Sequence, residues 1–261
     1  VSATIDWTRR TESVVESVLT AVIFMYMIRL PPSAPLYPYT TRYRSALEFL
    51  GVREPDWHRH IAWDIGIVGV GRFLHDLLGS PLIEQVYSRL VIDCNRAPGH
   101  PTSMPHVSDG THVPGNSEAP VHCRARREHE ILHPYHDAIA EVLAERTSRP
   151  TALIALHSFT PEMAGVRRPW QIGILHHKDS RMARVMIDTL RTEGDLCVGD
   201  NEPYVLTDTN EYTVPRHAEA NGLPYLEIEL RQDLIADEEG QRAWAERLAR
   251  LLPQVWETLA A

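Results

Sequence analysis

The sequence predicts an α/β fold, a mostly parallel mixed sheet with helices on both faces. Three observations carry this expectation. From about Arg59 onward, short apolar runs of strand length alternate with stretches of helical periodicity, the rhythm of crossover connections. Several of those runs end in His, Asp, Glu, Arg or Asn, and an open α/β sheet presents its chemistry at strand ends. With 261 residues and 43% hydrophobic content, the chain can bury a full core in one domain.

Taken in order, Val18 to Leu30 reads as an apolar helix, broken by Arg29 and stopped at Leu30-Pro31-Pro32. A Pro/Tyr/Arg-rich segment follows, with none of the later β-α rhythm. Residues 1–45 are therefore expected to be a divergent N-terminal segment, possibly not native to the fold, and 46–261 a single domain. Strands are expected at Gln85 to Ile92, Thr151 to Leu156, Gln171 to Leu175, Asp195 to Val198 and Pro224 to Leu230. Helices are expected at Ile131 to Ala144, at Ser180 to Leu190, where Met182, Val185, Met186 and Leu190 share a face, and from Glu238 to Leu259. In the last, Trp244, Leu248, Leu251, Leu252, Val255 and Trp256 form a stripe that should close the core. Ala97 to Arg124, rich in Pro, Gly, Ser and His and without periodicity, reads as a lid or pocket wall.

The formal charge of −9 is spread along the chain, which argues against a nucleic-acid partner and for a small molecule. Three widely spaced cysteines fit neither a disulfide framework nor a zinc knuckle, so a reducing cytoplasm is expected. The most apolar stretch is shorter than the roughly 20 residues a membrane span needs, and no membrane partner is expected.

His157 closes the run Ala152-Leu153-Ile154-Ala155-Leu156, where an imidazole is placed to bind Zn²⁺ or to hydrogen-bond in a loop. His60 and Asp64 share a face if their segment is helical; they could ligate together, one could orient the other, or Asp64 could simply cap the helix that follows. Arg89, Asn95 and Arg96 flank one apolar run and form a fork suited to a substrate carboxylate, with Asp93 bracing an arginine; a structural ion-pair network is the alternative. Glu227 and Glu229 lie two apart on an apolar strand. A carboxylate there either serves as general base or sits on a solvated edge. His133-Pro134-Tyr135-His136, Arg167-Arg168-Pro169-Trp170 and Asn201-Glu202-Pro203-Tyr204 put polar groups beside Pro-aromatic pairs, as pocket-shaping loops or as plain turns. His176-His177 could hold a second metal, with exposure at a helix start the safer reading.

Together these segments resemble a known family, the N-formylglutamate amidohydrolases. The matching strings are RHIAWDIG (Arg59 to Gly66), YSRLVIDCNR (Tyr87 to Arg96), PGN (Pro114 to Asn116), PYH (Pro134 to His136), LHSFTP (Leu156 to Pro161), RPW (Arg168 to Trp170), VGDNEPY (Val198 to Tyr204) and EIELRQDLI (Glu227 to Ile235). They occur in family order over most of the chain. The resemblance implies a zinc carboxypeptidase-like (phosphorylase/hydrolase-like) fold and hydrolysis of an N-formyl or N-acyl amino acid, N-formyl-L-glutamate being the name substrate. It implies a metal, zinc, with His157 and Asp64 as ligands, Glu229 as the catalytic carboxylate, and Arg89, Asn95, Arg96, Tyr135 and His136 around the substrate.

One departure stands out. Family members carry an early ligand histidine upstream of the RHIAWDIG segment, and this chain has no histidine before His58. The beginning is read as divergent, truncated or frame-shifted, with His60 the candidate substitute ligand. Two other functions follow: a non-catalytic relative that binds an acidic amino-acid ligand, or an amidase acting on a peptide or cell-wall substrate.

Overall fold

The structure, a computed structural model, describes residues 20–24 and 46–261. Its strands are β1 (Thr20–Phe24), β2 (Leu82–Ile83), β3 (Val107–Ser108), β4 (Thr111–His112), β5 (Thr151–Phe159), β6 (Glu162–Met163), β7 (Val166–Arg167), β8 (Ile172–Leu175), β9 (Val198–Asp200) and β10 (Tyr225–Arg231). The main helices are α1 (Ile67–Leu78), α2 (His133–Ala144), α3 (Arg181–Thr192), α4 (Thr213–His217) and α5 (Glu238–Ala260).

Six strands form the central sheet in the order β2-β1-β5-β10-β8-β9. All neighbouring pairs run parallel except β10 and β8, so the sheet is mixed and mostly parallel, as expected. The pairs β3-β4 and β6-β7 are separate small hairpins.

The strand period of two divides the core between the faces. Ala152, Ile154 and Leu156 of β5 and Leu226, Ile228 and Leu230 of β10 pack with α1, α3 and α5, whose apolar stripes supply Val70, Leu74, Met186, Leu190, Leu248 and Leu252. Leu153, Ala155 and Tyr225 face the other way, against Ile139 of α2, Val214 of α4, Trp57 of a short 3-10 turn (Glu54–His58) and turn residues such as Ile61 and Leu90. Each fully buried Leu, Ile or Val contributes roughly 1.5–3 kcal/mol. The same alternation puts His157, Glu227 and Glu229 on this second face, toward the end where β5 and β10 both stop. α5 runs unbroken through Pro253, starting at Asp237, whose side chain accepts from the Gly240 N–H.

Four expectations need correction. Thr20–Phe24, inside the stretch read as a helix, forms a strand between β2 and β5; Thr, Val and Ile suit a strand, and β5 offers a free ladder. The rest of 1–45 lies outside the described residues. Gln85–Ile92 is not a strand, because other partners take its backbone: Arg89 N and Ser88 Oγ donate to the Ala62 carbonyl (3.2 and 2.7 Å), and Asn116 Nδ2 donates to the Leu90 carbonyl (2.8 Å). The fourth expected strand shifts to Val198–Asp200. His60 to Asp64 is a run of turns, and α1 is capped by Gly66 rather than by Asp64. No described helix is long and apolar enough to cross a membrane.

Candidate active site

Three local devices bring the site together. The parallel register of β5 and β10 sets Glu229 directly opposite His157. The turn before α1 carries Asp64; Ser158 Oγ pins it to the end of β5 by donating to the Ile65 carbonyl at 2.9 Å. Gly66 closes that turn at φ +79°, and a Cβ there would lie 2.0 Å from the Ile235 carbonyl oxygen, so only glycine lets the turn seat. The Asp93–Arg96 segment is folded by its own first residue, whose Oδ1 accepts from Asn95 N at 2.9 Å.

These elements surround a cavity of about 280 Å³, walled by Asp64, Arg89, Asn95, Arg96, His157 and Glu229. His157 Nδ1–H donates to Asp64 Oδ2 at 2.9 Å. Arg89 Nη2 pairs with Asp93 Oδ2 at 2.8 Å, and its Nη1 lies 3.7 Å from Asp64 Oδ1. Glu229 Oε2 is buried and accepts no hydrogen bond from the described residues. Burial pushes its carboxyl up to about 8, against the pull of the His157 charge, and pushes the neighbouring Glu227 up to about 7. Burial opposes charge on His157, yet the Asp64 hydrogen bond and the Glu227 carboxylate outweigh it and raise the imidazole to about 10.

Arg89, Asn95, Arg96, Asp64, His157, His60 and Glu229 thus meet around one space. Tyr135 and His136 do not, which corrects the expectation that they touch substrate. Tyr135 is packed into the core beneath the sheet. His136 Nε2–H donates to the Cys94 carbonyl (2.8 Å), so its Nδ1 must accept from His217 Nε2–H (2.9 Å). The pair braces the Asn95 segment from behind. His60 lines the cavity, with Nε2 3.6 Å from Asp109 Oδ2 and no hydrogen bond, and burial holds its pKa below the usual value.

One wall residue of consequence, Glu211, escaped the sequence, whereas Tyr204 lies in a loop the sequence read as pocket-shaping or as a plain turn. Glu211 sits in a loop without periodicity; Asn95 Nδ2 donates to its Oε2, and its Oε1 lies 4.0 Å from Arg96 Nη1. Tyr204 is placed by the Asn201–Tyr204 turn, and its hydroxyl accepts from Arg168 Nη1 at 3.1 Å. Nothing in the spacing of Glu211 marks it, whereas its neighbourhood to Tyr212 and Thr213, whose N–H groups donate to Asn95 Oδ1 (3.2 and 3.0 Å), exists only in the folded chain.

Among the described residues the donor set for zinc is short by one. Asp64 and His157 are hydrogen-bonded to each other, and no third described His, Cys, Asp or Glu atom lies within 4.8 Å of both. Catalytic zinc takes three protein ligands. The sequence from Met25 to Ser45 contains no residue of those four types. Among the described residues, a three-residue metal-type cluster occurs elsewhere, at His177, Asp208 and Glu219, where Lys178 Nζ already sits 2.5 Å from Asp208 Oδ1 and 3.3 Å from Glu219 Oε2. His176 is engaged with Asp200 at 2.9 Å.

A family model for N-formylglutamate amidohydrolase matches residues 39–236. The chain belongs to the N-formylglutamate amidohydrolase family. Among solved structures, the gene product Atu2144 from Agrobacterium tumefaciens is similar at 32% identity over 94% of each chain, with a TM-score of 0.82. N-formylglutamate amidohydrolase from Ralstonia eutropha JMP134 shares the fold at 19% identity, over 93% of this chain and 94% of that one, with a TM-score of 0.57. No match was found among curated proteins. Glu229 stands beside His157 on adjacent strands of one cavity wall, next to the His157–Asp64 pair.

Proposed function

We propose that this amidohydrolase cleaves the amide bond of an N-formyl or other N-acyl amino acid, with N-formyl-L-glutamate the first substrate to test. The observation that carries the reading is Glu229: a buried carboxyl with one oxygen that accepts no hydrogen bond from the described residues, set by strand register beside His157 on the wall of the same cavity. In this reading Glu229 takes a proton from water as the water adds to the amide carbonyl, then delivers it to the departing nitrogen. Arg89, paired with Asp93 and 39% exposed on the cavity wall, faces the carbonyl oxygen as charge builds on it. Asn95 and Arg96 receive the carboxyl end of the substrate. A zinc carboxypeptidase-like ancestry would add a metal on Asp64 and His157, with His60 turning in as a third ligand. Among the described residues only the first two of these donors meet. A cytoplasmic enzyme acting on a small metabolite fits the composition.

The test is release of formate or of the free amine from a panel of N-acyl amino acids. Glu229→Gln should lose about 100-fold or more in kcat with its unfolding midpoint unchanged. Equal turnover by the variant would overturn the mechanism. A second reading, binding of the same ligand without hydrolysis, is favoured by the incomplete donor set; it predicts ligand affinity, lost on Arg96→Ala, without turnover.

A further inference from the structure

Tyr204 comes to the cavity wall with its acceptor side used and its donor side open. Its hydroxyl oxygen accepts from Arg168 Nη1 at 3.1 Å, while its own proton meets no acceptor among the described residues. Burial and the Glu229 charge raise the phenol above its usual value, so it keeps that proton at neutral pH. A hydroxyl that accepts from a guanidinium is also the better donor, because the cation draws charge from its oxygen. Arg168 is itself anchored: Nη1 donates to Thr160 Oγ1 at 3.3 Å, and the guanidinium lies 4.9 Å from the centroid of the Tyr204 ring.

The turn that carries this ring is fixed against the strand position beside Glu229. Gly173 of β8 lies opposite Glu229, and the Glu202 carbonyl packs onto it too closely to admit a Cβ. Asn201, in the left-handed region at φ +52°, ties the start of the turn to the end of β8. Its N–H donates to the Ile174 carbonyl at 3.0 Å, and its Oδ1 accepts from His176 N at 2.8 Å. Tyr204 follows two residues after Glu202 and shares the cavity with Glu229 and Arg89. Beyond burial, the charges of both act on its hydroxyl, Glu229 raising the pKa and Arg89 lowering it.

We propose that Tyr204 is a further catalytic residue, whose hydroxyl donates a hydrogen bond to the carbonyl oxygen of the scissile amide alongside Arg89. The inference rests on the hydrolase reading above. As water adds to the carbonyl carbon, the C=O π pair moves onto the oxygen, and a donor already aimed there binds more strongly as that charge grows. The hydroxyl gives a hydrogen bond and no proton. Glu229 takes the proton of water, the pair on oxygen re-forms the C=O, and the C–N bond breaks as Glu229 returns the proton to nitrogen.

Tyr204→Phe keeps the ring that walls the cavity and removes only the hydroxyl. Turnover of N-formyl-L-glutamate and of N-acetyl-L-glutamate is followed for the full chain and this variant. Titration calorimetry gives the affinity of each for N-acetyl-L-glutamate and for its methylphosphonamidate analogue, whose tetrahedral phosphorus carries the oxygens of the adduct. The variant should lose about 10–100-fold in kcat with KM within about three-fold. It should bind the phosphonamidate about ten-fold or more weaker while holding N-acetyl-L-glutamate within about three-fold. An unchanged kcat, an equal loss for both ligands, or a wild-type protein with no preference for the phosphonamidate, binding of neither included, overturns the inference. Wild-type turnover with an unmoved phosphonamidate affinity in the variant sinks this proposal and leaves the hydrolase reading standing. Absence of turnover by the wild type sinks that reading instead, and the phosphonamidate titration still decides the role of the hydroxyl.

Discussion

Asp64 and His157 meet from 93 positions apart, and their contact shows what a single side chain contributes here. With Asp64 removed as an anion, His157 loses a hydrogen-bond acceptor and Arg89 a carboxylate neighbour. Asp64→Asn, nearly the same shape, should leave the fold intact and lower kcat at least ten-fold. It should also abolish whatever zinc affinity the chain has in a competition with a chromogenic chelator, since an amide is a far poorer ligand than a carboxylate. Retained affinity in that titration would remove Asp64 from any metal site. His157, Asp64 and Glu229 were legible because each is a polar residue at the end of an apolar run, where burial of a charge demands a reason. Glu211 was not, because a lone glutamate in an aperiodic loop carries no such contradiction; only the folded chain brings it to Asn95. Tyr135 and His136 misled for the opposite reason. A Pro-Tyr-His string beside other loop motifs has the composition of a pocket wall, while its helix turns both side chains into the core.

At the scale of elements, β10 was legible to within a residue at each end from its alternation of apolar residues with Glu227 and Glu229, and β5 from its apolar run, although it continues past the expected end at Leu156 to Phe159. Gln85–Ile92 has a similar composition and no ladder, because its hydrogen bonds go to Ala62 and Asn116, partners remote in sequence. The antiparallel entry of β8 beside β10 was likewise invisible, and it has a consequence at Gly173. That residue lies opposite Glu229, and a Cβ there would stand 1.8 Å from the Glu202 carbonyl oxygen, at the turn that delivers Tyr204 to the cavity. Gly173→Ala should therefore push the turn outward. Overpacking of this kind costs about 1–3 kcal/mol, readable as a lower denaturant midpoint, and KM should rise with it as Tyr204 withdraws. A variant with native stability and native KM would show that the turn is free to move.

For the molecule as a whole, acid stability should follow a buried pair, His136 and His217, outside the cavity that Glu229 lines. Burial lowers His136 to about 4 and His217 to about 3, below the ordinary value of 6.5 they regain on unfolding. Between those limits the unfolded chain binds more protons than the folded one, so stability rises with pH through this window and is lost as pH falls from about 6.5 toward 4. The loss should amount to a few kcal/mol by pH 4, seen as a falling thermal midpoint, and His217→Gln should flatten the slope. An unchanged slope in that variant would place the acid sensitivity elsewhere. The parallel rhythm of the whole fold was readable because crossover connections repeat in the sequence. Strand β1 was hidden because an apolar run of that length fits a helix equally well until a neighbour claims it.

The two outer strands of the central sheet, as far as the described residues go, are Leu82–Ile83 and Val198–Asp200, only two and three residues long. Exposed margins of a sheet are where foreign chains add and fibrils begin, and margins this brief offer almost no template. A chain with a deep, two-sided apolar interior is in this way kept from zipping onto copies of itself while that interior forms.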